Sequence, residues 1–103
     1  MKQYSVYILT NYQNSIFYIG VTNSLLNRVW EHKHQIYQQS FTQKYCLYKL
    51  VYYEDYDSIT NAINREKQLK NWHRQWKINL INSFNPYWQD LYQEWIKTLP
   101  PGN

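Results

Sequence analysis

Glycine stands at only two of the 103 positions, Gly20 and Gly102, and this scarcity limits what the chain can build. Glycine lets a backbone turn left-handed without steric cost and approach a ligand closely. Without runs of it, neither the phosphate-binding loop nor the dinucleotide-binding fingerprint can be written, and glycine-cradled nucleotide sites are excluded. Gly102 falls in the terminal Pro100-Pro101-Gly102-Asn103, which reads as a frayed tail. Gly20 is the one glycine left to the folded region. It ends an apolar run just before a helical pattern, which indicates a backbone position no side chain can occupy, or close approach by a substrate.

Residues 3–10 (QYSVYILT) and 16–21 (IFYIGV) are rich in β-branched and aromatic types and read as strands. The short polar stretch Asn11 to Ser15 joins them as a hairpin, with Tyr7 and Tyr18 on neighbouring strands. Thr22 or Asn23 caps a helix from Ser24 to about Gln35, whose apolar face is Leu25, Leu26, Val29 and Trp30. Arg28 and His32 lie one turn apart on another face and can act on one substrate. Residues 36–45 have no period and read as a loop; LYKLVYYE at 47–54 is a third strand. Asp57 or Ser58 caps a longer helix from Ile59 to about Trp72, a further run covers Arg74 to Ile81, Asn85-Pro86 stops it, and a short helix covers Trp88 to Ile96. The expected fold is of the α/β (α+β) class, order β-β-α-β-α-α, with one domain over residues 1–97 and a flexible tail at 98–103.

Aromatic residues make up 19% of the chain and charged residues 17%, below the usual share of about 25%. The formal net charge is +4. Residues 1–50 hold that excess, with Lys2, Arg28, Lys33, Lys44 and Lys49 against Glu31 alone. Further on, Arg65, Lys67, Lys70, Arg74 and Lys77 face only Glu66, while Glu54, Asp55 and Asp57 sit upstream. Such a stretch is either a solvated helix face or a surface for an anionic partner, foremost nucleic acid, whose phosphates Lys and Arg neutralise while Tyr or Trp stack. A lone Cys46 forms no internal bridge, and His32, His34 and His73 lack the companions a zinc site needs. No apolar run approaches the length of a membrane span, so a cytoplasmic protein is expected.

One residue is out of place. The stripe 59, 62, 63, 66, 69, 73 of the long helix carries Ile59, Ala62, Ile63, Leu69 and His73, and Glu66 interrupts it. A carboxylate taken out of water needs a partner. Either it pairs with Arg65, Lys70 or Arg28, or it looks into a site where it holds a divalent cation; one carboxylate with several waters suits Mg²⁺.

These residues together resemble the GIY-YIG nuclease superfamily, and more narrowly its small single-domain members related to the UvrC nuclease domain. Ser5-Val6-Tyr7 stands at the first motif, Tyr18-Ile19-Gly20 is the second motif intact, and Arg28 and His32 follow. FTQKY at 41–45, LVYYE ending at Glu54, REKQLKNW containing Glu66, and NPYWQDL at 85–91 resemble the remaining landmarks. The resemblance implies a three-stranded antiparallel sheet flanked by helices and a catalytic surface of Tyr7, Tyr18, Arg28, His32 and Glu66, with Glu66 binding one Mg²⁺ or Mn²⁺. The implied activity is a metal-dependent endonuclease acting on DNA, structure-specific and serving repair or processing, with RNA as an open alternative substrate. Gly20, Lys44, Lys67, Lys70 and Arg74 are the expected nucleic-acid contacts.

Arg28 can fork onto a non-bridging phosphate oxygen. The general base is Tyr7, Tyr18 or His32; a tyrosine of ordinary pKa about 10 needs nearby positive charge to serve at pH 7, and His32 needs less help. The sequence departs from the pattern at Ser5, where the family has glycine, and at Val21, where several relatives carry lysine. The late asparagine of the family could be Asn79, Asn82 or Asn85. With no residues left for a target-reading domain, recognition is expected to fall on nucleic-acid structure or on a protein partner. A module of the same fold that binds nucleic acid without cutting it is the alternative.

Overall fold

The computed structural model describes residues 3–34 and 40–98. Three strands form one antiparallel sheet: β1 (Tyr4–Thr10), β2 (Phe17–Thr22) and β3 (Lys49–Tyr56), in the order β2-β1-β3. The first two make the hairpin expected from their spacing, with Tyr7 opposite Gly20 and Leu9 opposite Tyr18. Its loop closes without glycine. The Asn11 side chain accepts from the Ser15 and Ile16 amides and donates to Ser15 Oγ, while Asn14 takes the left-handed turn at φ 56°. Asparagine tolerates that conformation better than most residues.

Alternation along β1 divides the core in two. Val6 and Ile8 point to one face, where Ile19, Val51 and Tyr52 meet Ala62 and Leu69 of α3 (Ile59–Asn71) and Ile81 of α4 (Arg74–Phe84). Tyr7 and Leu9 point to the other, where Leu47 and Leu50 meet Val29 of α1 (Leu25–Lys33), and Leu91, Tyr92 and Trp95 of α5 (Leu91–Thr98) pack alongside. A single turn, α2 (Phe41–Lys44), interrupts the segment that reads as a loop; Ser40 caps it by accepting from the Gln43 amide. The helix read from Ser24 to Gln35 ends at Lys33, and Gln35 and residues 36–39 lie outside the described residues, as does the tail beyond Thr98.

Polar contacts fix the helices on the sheet. Ser58 caps α3 by accepting from the Asn61 amide. Arg65 of α3 forks onto Glu54 of β3 at 2.9 and 3.0 Å, and the Tyr52 and Tyr56 hydroxyls donate to the same carboxylate. Burial pushes the Glu54 carboxyl up, and these hydrogen bonds outweigh it, holding the group below its ordinary value. Arg65 is thereby neutralised and drops out of the basic stretch. Asp90 caps α5 through the Tyr92 amide and pairs with Lys33 of α1.

Among the three late asparagines, Asn85 is buried; its amide donates to the Val51 and Gln89 carbonyls at 3.1 and 2.8 Å and accepts from the Gln89 amide at 3.1 Å. It ties the end of α4 to the irregular stretch of β3, where the register with β1 shifts. Asn85→Ala strips a buried carbonyl of its donor and is expected to cost about 1–3 kcal/mol. Urea unfolding followed by circular dichroism measures this; a midpoint equal to the parent's would show that Asn85 holds nothing.

Candidate active site

Four of the five catalytic residues implied by the sequence gather on the α1 side of the sheet. Tyr7 and Tyr18 share that face because Tyr7 lies opposite Gly20, two residues along β2 from Tyr18, and side chains two apart on a strand point the same way. Their rings lie 6.2 Å apart and tilted, and the His32 ring of α1 sits 6.3 Å from Tyr7 and 5.7 Å from Tyr18. Arg28, one turn before His32, lines the same open groove of about 330 Å³ with Tyr18, His32, Ser40, Phe41 and Thr42. A larger groove of about 560 Å³ lies against the N-terminal end of α1, lined by Ser5, Leu25, Tyr53, Asp55 and Trp95. The smaller one is lined by three of the residues that the resemblance implies, Tyr18, Arg28 and His32.

His32 is buried and held from both ends. Its Nδ1 lies 3.0 Å from Thr42 Oγ1 and its Nε2 3.4 Å from Tyr7 Oη, and Ser40 Oγ is 3.1 Å from Thr42 Oγ1. Burial, then the Arg28 charge, pull the imidazole below its ordinary pKa, with Glu31 opposing. At neutral pH the ring is therefore uncharged and carries one proton. With that proton on Nδ1 and donated to Thr42, the Nε2 lone pair faces Tyr7 Oη. Thr42 and Ser40 join the candidate site unannounced by the sequence, because a four-residue helix leaves no period to read.

Gly20 is explained by the tyrosine opposite it. A Cβ at Gly20 would stand 2.6 Å from both Cζ and Oη of Tyr7. The ring lies over the glycine, and no side chain fits beneath it. Ser5, in the place of the first motif's glycine, donates to its cross-strand partner Asp55 at 2.6 Å. Val21, in the place of a lysine, packs against the aliphatic core on the other face.

Glu66 stands apart from the four. It follows Ala62 by one turn and precedes Leu69 by three residues, so it belongs to the stripe by which α3 packs on the opposite face of the sheet, across β1 and the edge strand β2. Its carboxylate is mostly buried and pairs with Lys70 at 3.4 Å, one of the partners anticipated from spacing. Among the described residues, no three or more His, Cys, Asp or Glu side chains gather where they could share a metal. The donor set is a single carboxylate, which fits an ion that keeps its waters and takes phosphate oxygens from a substrate, as Mg²⁺ does.

The remaining cations are spread over two regions. Lys44 ends α2 beside the groove, its ammonium 5.3 Å from the Tyr45 ring centre. Lys67 and Lys70 are exposed on α3, and Arg74 opens α4 with its guanidinium 4.6 Å from the Phe17 ring centre. Among the described residues no helix is long and apolar enough to cross a membrane.

The family model of the GIY-YIG catalytic domain matches residues 3–79. A UPF0213 protein of Syntrophus aciditrophicus (strain SB) is 34% identical over 86 residues, covering 84% of this chain and 97% of the relative. The solution NMR structure of a UPF0213 protein from Bacillus halodurans superposes with a TM-score of 0.55 at 22% identity, covering 86% of this chain and 93% of that one, and shows the same fold. With the two tyrosines, the arginine and the tyrosine-covered glycine on one face of this fold, the chain belongs to the GIY-YIG family, the nuclease superfamily its motifs resemble.

Proposed function

We propose that this protein is an endonuclease that hydrolyses phosphodiester bonds in DNA. The observation that carries the proposal is the convergence of Tyr18, His32 and Arg28 on one open groove of a GIY-YIG domain, with Tyr7 buried behind it against Tyr18 and His32. Hydrolysis needs a water relieved of a proton, a donor to the charge that develops on the non-bridging oxygens, and a stabilised leaving oxygen. Arg28 supplies the donor, a planar fork matched to two phosphate oxygens. His32, neutral and oriented by Thr42, accepts a proton at Nε2, either from a water or through the Tyr7 hydroxyl. Tyr18, on the edge strand, positions the attacked phosphate beside Arg28. A single Mg²⁺ or Mn²⁺ held by Glu66 would supply Lewis-acid stabilisation of the leaving 3′ oxygen. For Arg28 and such an ion to serve one phosphate, that phosphate would sit at the edge strand β2, beyond which no further strand is paired among the described residues.

One observation favours the second reading, a DNA-binding module without catalysis: Glu66 lies on the face away from the tyrosines and is paired with Lys70. The two readings separate in one assay. Supercoiled, single-stranded and branched DNA are incubated with the protein in Mg²⁺ or Mn²⁺. Nicks or cuts are expected, absent in EDTA and lost in Glu66→Ala. Full cleavage in EDTA or in the variant would remove Glu66 and the ion from the mechanism; binding with no product under any condition would establish the second reading.

A further inference from the structure

The corner between α3 and α4 carries a feature that the catalytic groove does not use. Trp72 and His73 are both extended there, at ψ 149°, so the chain turns sharply and sets an aromatic cluster on its outside. Trp76 is 53% exposed, yet it is braced by two perpendicular rings, Trp72 at 5.8 Å and His73 at 5.2 Å. It borders a shallow groove of about 320 Å³ shared with Trp72, Asn79 and Leu80. A lone exposed tryptophan is ordinary on a protein surface. The two helices that meet beside this one carry mostly positive charge: Lys67, Lys70, Arg74 and Lys77 lie along them, and between residues 66 and 77 the one acid is Glu66, paired with Lys70. Burial, and then the neighbouring charge of Arg74, depress Lys77, and a phosphate beside the two would offset that repulsion.

We propose that Trp76, with the cations of the α3–α4 corner, is a stacking platform for an unpaired base, so that the substrate is a nucleic acid with a single-stranded segment. Rigid aromatic rings in a cationic setting bind bases irrespective of sequence, because every base offers a π-face while the cations track the backbone. The corner is also tied to the catalytic region. Arg74 stacks on Phe17 and reaches the Asn14 carbonyl at 3.5 Å, which fixes the platform beside the first residue of β2, next in sequence to Tyr18. Lys70 of the corner pairs with Glu66. A strand seated on Trp76 thus lies on the Glu66 side of the sheet and reaches the tyrosine side by crossing β2. The predominance of positive charge favours a polyanion over a protein as the occupant. The inference rests on the DNA reading of the groove and extends it by naming the form of the substrate.

The test is binding of a fluorescein-labelled single strand and of the blunt duplex of the same sequence, read by anisotropy in EDTA with Trp76→Ala and Trp76→Phe. Trp76→Ala is expected to weaken single-strand binding by about tenfold or more and duplex binding by about twofold or less, with Trp76→Phe retaining most of the affinity. Unchanged single-strand binding in Trp76→Ala, equal losses on both DNAs, or a parent protein that binds neither would overturn the platform. A parent protein that retains a protein partner through Trp76 while binding no single strand would assign the patch to protein docking, and would overturn it as well. Because no metal is present, the outcome is independent of cutting: a failed nuclease reading leaves binding intact and yields no product when Mg²⁺ is restored.

Discussion

Arg28→Ala is expected to slow strand cleavage by about a hundred- to a thousandfold, the scale set by removing one preorganised donor from developing charge. The side chain is 40% exposed, and its ion pair with Glu31, at 3.7 Å, is long and solvent-screened, so its loss leaves the fold and the melting temperature nearly unchanged. Arg28→Lys should recover only part of the rate, since an ammonium cannot fork onto two oxygens. A second readout separates this role from a merely structural one. The Arg28 charge helps to hold His32 below its ordinary pKa, so in Arg28→Ala that pKa rises. A base is active when deprotonated, and the acidic limb of the pH–rate profile should accordingly move to higher pH. Single-turnover cleavage of a nicked or branched substrate across pH measures both effects. An Arg28→Ala protein that cuts at the parent's rate would end the assignment.

Gly20→Ala should damage both stability and chemistry. The added methyl would enter the space of Cζ and Oη of Tyr7, and that ring is only 2% exposed, enclosed by Tyr18, His32 and the core around Val29 and Leu50. Overpacking of this kind costs about 1–3 kcal/mol, which for a domain of this size lowers the melting temperature by several degrees. If the ring yields instead, the Tyr7 hydroxyl leaves His32 and the rate of cleavage falls. A double-mutant cycle isolates the cause: in a Tyr7→Ala background, where the obstructing ring is gone, Gly20→Ala should cost little. Equal costs in both backgrounds would mean that Tyr7 is not what excludes a side chain from position 20.

Much of this architecture can be read directly from residue pattern. The strands at 3–10 and 16–21 differ from β1 and β2 by one residue at each altered end, because β-branched and aromatic runs bounded by polar residues leave little choice. The long helix from Ile59 was set by the serine before it and by Ala62 and Leu69 on its inner stripe. The convergence of Tyr7 and Tyr18 followed from hairpin spacing. What was not legible required partners distant in sequence. Arg65 was counted as a surface cation until Glu54, eleven residues earlier, was found across the sheet edge. Thr42 read as part of an exposed loop and is instead buried against His32, a pairing that no local period encodes. Glu66 interrupts its apolar stripe, but a stripe shows only that a side chain faces inward, not which face of the sheet it meets.

The division of the core by β1 has a consequence for how the site fails. Tyr7 stands between Val6 and Ile8, which are wholly buried among the aliphatic residues of the other face. A slip of one residue would turn the tyrosine into that aliphatic layer and its neighbours out toward the histidine. The pleat that aims the Tyr7 hydroxyl is the same pleat that seals the core, so a shift of register in β1 cannot spare either. For the Tyr7 hydroxyl, misplacement by a register slip and loss of the core are one cooperative event.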